Sequence, residues 1–328
     1  MIAVPDVLVI TRADIVRVMD QRAWLAAADT AFRAAGSGRA NAPQPLHLPM
    51  PGGGFHAKGA SLRLERDWAA VKVNGNFPGN PAGSGLPTIQ GAVILADGGN
   101  GMLLAILDST EITLRRTAAA SALAASLLAK PNARNLLVCG CGEQGGAHVA
   151  ALRDVLPLTH VMTWDRDPDA AARLARMVGG TAVQDLGSAS LTADVIACCT
   201  SARVPYLDAG MVKPGTFIAA VGADHPDKSE IAPALMAASL VVTDSVEQCL
   251  VMGDLHHAAA AGLKTKADVL ADLSEFVDGT RRGRPRAGET VVFDSTGTGL
   301  QDVTASALIY ERCLAAGVGQ RIPLGALP

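Results

Sequence analysis

The spacing of hydrophobic residues changes several times along this chain, and the changes divide it. Leu8-Val9-Ile10 is a short apolar run. Thr11 and Asp14 follow in the Ser/Thr-x-x-acid spacing of a helix cap. ADIVRVM and QRAWLAAADTAFRAAGSG then read as helices, the second closing at glycine. From Pro43 to Gly101 the texture shifts to short alternating or apolar runs broken by Gly, Pro and Asn: GGFHAKGASL, WAAVKVNG, TIQGAVILADG and GMLLAILD. Asp97-Gly98-Gly99-Asn100-Gly101 reads as the hairpin turn between the last two, so this stretch predicts an antiparallel sheet. EITLRRTAAASALAASLLAK follows as a long Ala-rich helix that stops at Pro131.

At Asn135 the pattern changes again. N-L-L-V-C breaks straight into Gly140-x-Gly142-x-x-Gly145, and a helix-like stretch, AHVAALRDVL, comes next. Strand, glycine turn and helix in this order form the entry to a dinucleotide-binding βαβ unit. One glycine permits the tight turn, one lets a pyrophosphate lie against bare backbone, and one lets helix pack closely on strand. The phosphate charge then falls at a helix N-terminus, where unpaired N–H groups and the helix dipole favour an anion. A second strand, HVMTW, ends at Asp165, about twenty residues past the last glycine, where an acid meets the ribose hydroxyls. The competing reading is an ordinary Gly-rich turn. A carboxylate at Asp165 accepts from a free 2′-hydroxyl and repels a 2′-phosphate, which favours NAD over NADP. Arg166 could serve a 2′-phosphate, although a solvated loop charge is the simpler reading.

Strand and helix go on alternating after the turn: HVMTW, then PDAAARLARMVG, ADVIACCT, FIAAVG and SLVVTD. These are the successive strands of a doubly wound parallel sheet. VVFDSTG reads as a final strand returning toward the first domain, and ALIYERCLAAG as a C-terminal helix. The predicted fold class is α/β, a Rossmann-type doubly wound parallel sheet inserted into a second, α+β domain. The expected boundaries are 1–118 with 304–328 returning to it, and 119–303 for the inserted domain.

Composition narrows the function classes. A chain of 328 residues suits two domains, each with its own core. A net charge of −3 gives no electrostatic case for nucleic acid or an acidic membrane surface. Six cysteines, at Cys139, Cys141, Cys198, Cys199, Cys249 and Cys313, show no framework spacing, so reduced thiols in a cytoplasmic protein are expected. Cys139 and Cys141 bracket the first glycine of the turn, which argues against a metal pair, and no metal is expected elsewhere. Neither a basic segment leading into an apolar run at the start nor a span long enough for a bilayer is present in the pattern. RRGRPR, from Arg281 to Arg286, reads as an exposed loop.

Three charged residues stand where chemistry is expected. Lys72 lies inside an otherwise apolar strand, A-A-V-K-V-N-G, and a buried lysine there is either paired or functional. Arg116 sits in the first turns of the Ala-rich helix. Asp224 follows the strand FIAAVG, at a strand end where open α/β sheets place ligands. Cations to hold a carboxylate and a group that exchanges protons with nitrogen are what a hydride enzyme for amino or imino acids requires.

The runs G-L-P-T-I-Q-G and D-S-T-E-I-T-L-R-R-T-A-A-A-S, K-V-N at Lys72, the G-C-G-E-Q-G turn, V-G-A-D-x-P-x-K-x-E and F-D-S-T-G together resemble the ornithine cyclodeaminase/μ-crystallin family. The resemblance covers nearly the whole chain, in the family's order and spacing. It implies a homodimer whose discontinuous first domain binds substrate and forms the dimer contact. It also implies that Lys72 and Arg116 hold the substrate carboxylate, with Asp224 as acid/base and Lys228 nearby. Cofactor contacts are implied from Gly140, Gly142, Glu143, Gln144, Gly145, Asp165, Arg166 and Thr200, and from Ser295 and Thr296 at the nicotinamide end. His47 stands where an arginine often helps hold the carboxylate. His56 and Lys58 stand where related cyclodeaminases carry an acid and an apolar residue. On a strand, His56 and Lys58 share a face, either a pocket that has gained positive charge or the solvent side of an edge strand. The function expected is an NAD(H)-dependent amino-acid dehydrogenase or imine reductase acting on a small imino or amino acid. The alternatives are an NAD-recycling cyclodeaminase that releases ammonia, and a non-catalytic nucleotide-binding protein.

Overall fold

The computed structural model describes residues 6–324, which form two eight-stranded sheets in two units. One unit comprises the chain up to Arg116 together with Thr298 onward, and the other runs from Thr117 to Gly297.

In the first unit the sheet order is Gln320–Ile322, Val7–Ile10, Leu103–Asp108, Ile89–Asp97, Asp67–Asn76 and Gly53–Arg63, with Ala40–Asn41 and Leu46–Met50 both pairing with the outer side of Gly53–Arg63. Val7–Ile10 runs parallel to Leu103–Asp108, and the other pairs are antiparallel. The period-2 pattern of WAAVKVN sorts its residues by face: Trp68, Ala70, Lys72 and Asn74 are buried, while Val71 and Val73 are exposed. Helix Gly299–Ala316 covers the buried face, lying on strands Gly53–Arg63 and Asp67–Asn76 and against helix Gln21–Gly36. Its first residue touches strand backbone: a Cβ on Gly299 would meet the Gly59 carbonyl oxygen at 2.4 Å. Local signals set the helix starts, with a capping box between Thr11 and Asp14 and an Asp20 side chain accepting from the Ala23 N–H.

In the second unit every strand pair is parallel, in the order Thr181–Ala182, His160–Trp164, Asn135–Cys139, Val195–Cys198, Phe217–Ala220, Val291–Asp294, Leu240–Thr243 and Ala271–Asp272. The strands Val195–Cys198 and Phe217–Ala220 are buried throughout, as strands covered by helices on both faces must be. Val291–Asp294, the last strand of the inserted domain in sequence, lies not at an edge but inside this sheet, between Phe217–Ala220 and Leu240–Thr243. Its four residues are all buried, and the chain passes to the other unit only after Gly297. Among the described residues no helix is long and apolar enough to cross a membrane.

Candidate functional site

The glycine turn has the shape its sequence requires. Gly140 has φ +95°, and a Cβ there would lie 2.6 Å from the Cys199 carbonyl oxygen; one on Gly145 would lie 2.2 Å from the Gly140 carbonyl oxygen. Gly142, the residue before helix Glu143–Val155, has nothing within 4 Å of its Cβ position, so the space over the helix start is open. Glu143 and Gln144 form the first turn of that helix. A cavity of about 650 Å³ opens at this point, lined by Gly140, Gly142, Asp165, Arg166, Thr200 and Tyr206, among others. The Asp165 carboxylate accepts from the Cys141 N–H at 2.7 Å and the Asp167 N–H at 3.0 Å, which fixes it at the cavity edge with acceptor capacity left for a ribose. Burial, with Asp165 adding, pushes the Cys141 thiol up to about 12, so it stays protonated. Open space over the helix start, a tight glycine turn and a carboxylate at the end of the adjacent strand all fit a dinucleotide.

Asp224 lies beyond the end of strand Phe217–Ala220, and Lys228 Nζ donates to its Oδ1 at 2.6 Å. Burial works against the Lys228 charge, but Asp224 outweighs it and raises the ammonium pKa. The loop carrying both is anchored by the acid that ends the V-G-A-D-x-P-x-K-x-E motif, to which the sequence reading gave no role. Glu230, fully buried, accepts from Thr200 N–H at 2.6 Å, Thr200 Oγ1 at 2.7 Å, Tyr206 OH at 2.9 Å and Gly222 N–H at 2.8 Å. It thus ties together the ends of two adjacent strands. Burial, with Asp254 adding, raises its pKa to about 7 against those four donors. Asp254 in turn accepts from the Glu230 and Ile231 N–H groups, and Asp294 accepts from the Leu255 N–H. Ser295 and Thr296 are buried, with Ser295 Oγ donating to Asp244 Oδ2 at 2.9 Å and Gln248 Nε2 donating to Thr296 Oγ1 at 2.7 Å. Those contacts hold the FDSTG turn in shape, and neither residue lines the 650 Å³ cavity.

The first unit gathers its charges on the buried sheet face. Lys72 Nζ sits 2.9 Å from Asp302 Oδ1 and 2.8 Å from Oδ2, and donates to Thr113 Oγ1 at 3.2 Å. Arg116 donates through Nε to Asp302 Oδ1 at 3.1 Å and through Nη1 to Gln301 Oε1 at 2.9 Å. Asp302 lies in the first turn of the covering helix, and sequence gave little sign of it, since it is 230 residues from Lys72. Burial holds the Lys72 pKa down to about 7, with Arg116 and Lys58 adding to that effect and Asp302 opposing it. Burial raises and Lys72 and Arg116 lower the Asp302 carboxyl, which ends below its ordinary value. Lys58 pairs directly with Lys72, and His56 pairs with Asn74 on one side and His47 on the other. The strand of His56 and Lys58 is therefore flanked on both sides, and both residues are half-buried on the face that holds Ala60, Leu62, Lys72 and Asn74. The solvent-face reading does not hold, because both residues are half-buried on the face that helix Gly299–Ala316 covers. His47 and His56 meet at Nδ1···Nδ1 3.3 Å.

The opposite face of this sheet is apolar and open. Leu46, Leu48, Met50, Phe55, Val71, Val73 and Ile94 are 38% to 57% exposed, and the strand register places them together.

A family model described as the ornithine cyclodeaminase/mu-crystallin family matches residues 5–317. An alanine dehydrogenase of Archaeoglobus fulgidus is 32% identical, over 97% of this chain and 98% of its own length. Among solved structures, an archaeal alanine dehydrogenase dimer with bound NAD superposes with a TM-score of 0.92 at 32% identity, covering 97% of this chain and 99% of that one. The Thermococcus litoralis Δ1-pyrroline-2-carboxylate reductase, in complex with NADH and L-proline, superposes with a TM-score of 0.91 at 26% identity, covering 96% and 100%.

Proposed function

This chain belongs to the ornithine cyclodeaminase/mu-crystallin family, and we propose that it is an NAD(H)-dependent oxidoreductase that interconverts an imino acid and an amino acid. The observation that carries the reading is the buried Lys72–Asp302–Arg116 cluster, whose two cations share one carboxylate. A buried cluster left with one net positive charge suits an incoming α-carboxylate. The relatives point the same way: those with bound NAD or NADH act on alanine or on a cyclic imino acid, by their names.

The parallel-sheet unit would hold the dinucleotide, with backbone at Gly140–Gly145 facing the pyrophosphate, Asp165 accepting from the ribose, and Arg166 and Thr200 at the cavity wall. Held there, NAD(H) would supply the hydride chemistry needed at the imine carbon. Lys72 and Arg116 hold the carboxylate, which fixes the direction in which that carbon faces. Asp224 delivers the proton to nitrogen and recovers it in the reverse direction, and Lys228 keeps its carboxylate oriented through the 2.6 Å contact. Lys72, with a pKa held near 7, gains a proton readily when an anion settles beside it. The basic residues His56 and Lys58 oppose a distal ammonium, which counts against ornithine cyclisation. The Asp224–Lys228 pair at a strand end counts against a purely binding role.

The exposed apolar face is proposed as the contact of a homodimer, since contiguous exposed apolar patches of this kind mark protein interfaces. The cytoplasm is proposed as its location, where six cysteines without disulfides remain reduced.

The test is NADH consumption with 2-oxo acids plus ammonia and with a cyclic 2-imino acid, for the natural protein and for Asp224→Asn. Turnover should appear with at least one imine and fall roughly 10²–10⁴-fold in the variant, with NADH affinity within about twofold. Tight NADH binding without turnover on any imine, or near-full turnover by Asp224→Asn, contradicts the proposal.

A further inference from the structure

The loop that carries Asp224 and Lys228 is closed on itself by one side chain. At its start, Val221 N–H donates to the Cys198 carbonyl at 3.1 Å, and Gly222 N–H donates to Glu230 Oε2 at 2.8 Å. At its end, Ser229 N–H donates to the Ala202 carbonyl at 2.9 Å, and the Glu230 carbonyl accepts from Tyr206 N–H at 3.0 Å. The Glu230 side chain therefore joins the last residue of the loop to its first. The join is close, since a Cβ on Gly222 would strike both Glu230 Oε2 and the Thr200 carbonyl oxygen. Asp224 N–H donates to the Gly222 carbonyl at 3.1 Å, so the acid is bonded directly to that join.

The other carboxylate oxygen serves a different segment. Glu230 Oε1 accepts from Thr200 N–H, Thr200 Oγ1 and Tyr206 OH, and both residues line the 650 Å³ cavity. One carboxylate thus holds the cavity wall with one oxygen and the neck of the Asp224 loop with the other. Keeping a charge here is costly. Glu230 is fully buried, and a second buried carboxylate, Asp254, holds its N–H and adds to the effect of burial in raising its pKa. A neutral amide of the same size avoids that cost, but it has one acceptor oxygen where donors approach from both sides.

We propose that Glu230 is a positioning residue for the reaction, holding Gly222, and through it Asp224, in fixed register with the Thr200–Tyr206 wall of the cofactor cavity. This rests on the reading of Asp224 as the acid/base of imine reduction. Glu230 acts through Asp224 and exchanges no proton with the substrate.

Glu230→Gln separates the two oxygens. The amide oxygen stays with the three donors on the Thr200 side, which keeps three hydrogen bonds rather than one, and its NH2 then faces the Gly222 N–H, donor against donor. In NADH-dependent imine reduction, kcat should fall about 10- to 100-fold, the scale of a misplacement near 1 Å. NADH affinity should stay within about threefold. In an Asp224→Asn background the same substitution should cost less than about threefold, because the group it positions no longer carries a proton. Val241→Ala, buried in the same parallel sheet, is the control for stability alone: its urea midpoint should fall and its kcat should hold. Glu230→Asp keeps the charge but is one methylene short of reaching both sides, and it serves if the amide variant does not fold. It too should lose at least about tenfold in kcat. A kcat within about twofold of the natural value in either folded variant, or an equal loss in the Asp224→Asn background, overturns the inference. If the natural protein reduces no imine, the catalytic reading fails on its own, and amide hydrogen exchange decides the positioning. Gly222 and Asp224 should then exchange at least about tenfold faster in Glu230→Gln while Thr200 stays protected, and unchanged exchange at Gly222 overturns it.

Discussion

At the glycine turn the proposed reading has an anion meet backbone. The turn itself supplies no cation, Gly142 leaves open space, and the helix start presents its N–H groups. On the antiparallel-sheet unit the proposed reading has a substrate anion meet side chains instead: Lys72 and Arg116, closed on Asp302. Backbone recognition suits a cofactor common to many enzymes, because it depends on chain shape. Side-chain recognition suits a substrate that differs from enzyme to enzyme, because one substitution at position 58 or 56 changes its charge. The first is rigid and hard to alter without harming the fold, whereas the second is a balance of charges that shifts with pH and with ligand.

That contrast can be broken or sharpened experimentally. The largest effect is expected at Asp302. Asp302→Asn leaves Lys72 and Arg116 buried together without their shared carboxylate, and breaking a buried pair costs roughly 3–5 kcal/mol. A urea midpoint close to that of the natural protein would show that the cluster is far less buried or less coupled than its geometry states.

Next come the two glycines. Gly145→Ala forces a Cβ against the Gly140 carbonyl and Val138, and should destabilise the fold by about 1–3 kcal/mol as overpacking does. Gly142→Ala has room for its Cβ, so stability should move by well under about 1 kcal/mol while NADH affinity falls about tenfold. Equal losses of stability in the two variants, or undiminished NADH binding by Gly142→Ala, would remove the assigned difference between them.

The smallest effect is in pH. Lys72 has its pKa lowered to about 7, so the unfolded chain holds this proton above pH 7 more often than the folded one does. Stability from this group therefore rises as pH rises from about 7 toward 10.5, by about 1 kcal/mol between pH 7 and 8. Glu230 runs the other way: its pKa is raised to about 7, so its contribution is complete below about 4.5 and is lost as pH rises toward 7. Urea midpoints measured across pH should show the alkaline rise shrinking in Lys72→Met, and an unchanged rise would mean that another group causes it.

The same contrast explains what the sequence made legible. Gly140, Gly142, Gly145 and Asp165 lie within a short stretch, and each has a local stereochemical reason for its identity, so the nucleotide unit could be read directly. Lys72, Arg116 and Asp224 were conspicuous as charges at apolar or strand-end positions. Asp302 was not, because an acid near a helix start is commonplace and only the fold brings it to Lys72. Glu230 stood in a quoted motif, but its anchoring role was hidden for a similar reason, since its four donors come from three separate segments. The position of Val291–Asp294 inside the parallel sheet was also illegible: strand order depends on how crossovers pack, and an apolar run of four residues carries no mark of its neighbours. Register decided the question of His56 and Lys58, and alternation alone could say only that they share a face.

The most direct test follows the hydride. NADH deuterated at the transferring position, given with an oxo acid and ammonia, should yield an amino acid with one deuterium on its α-carbon, one NAD+ per product, and no product without stoichiometric NADH. Ammonia released from ornithine with catalytic NAD+, no net NADH and no deuterium in an amino acid formed from oxo acid would contradict the account at its centre.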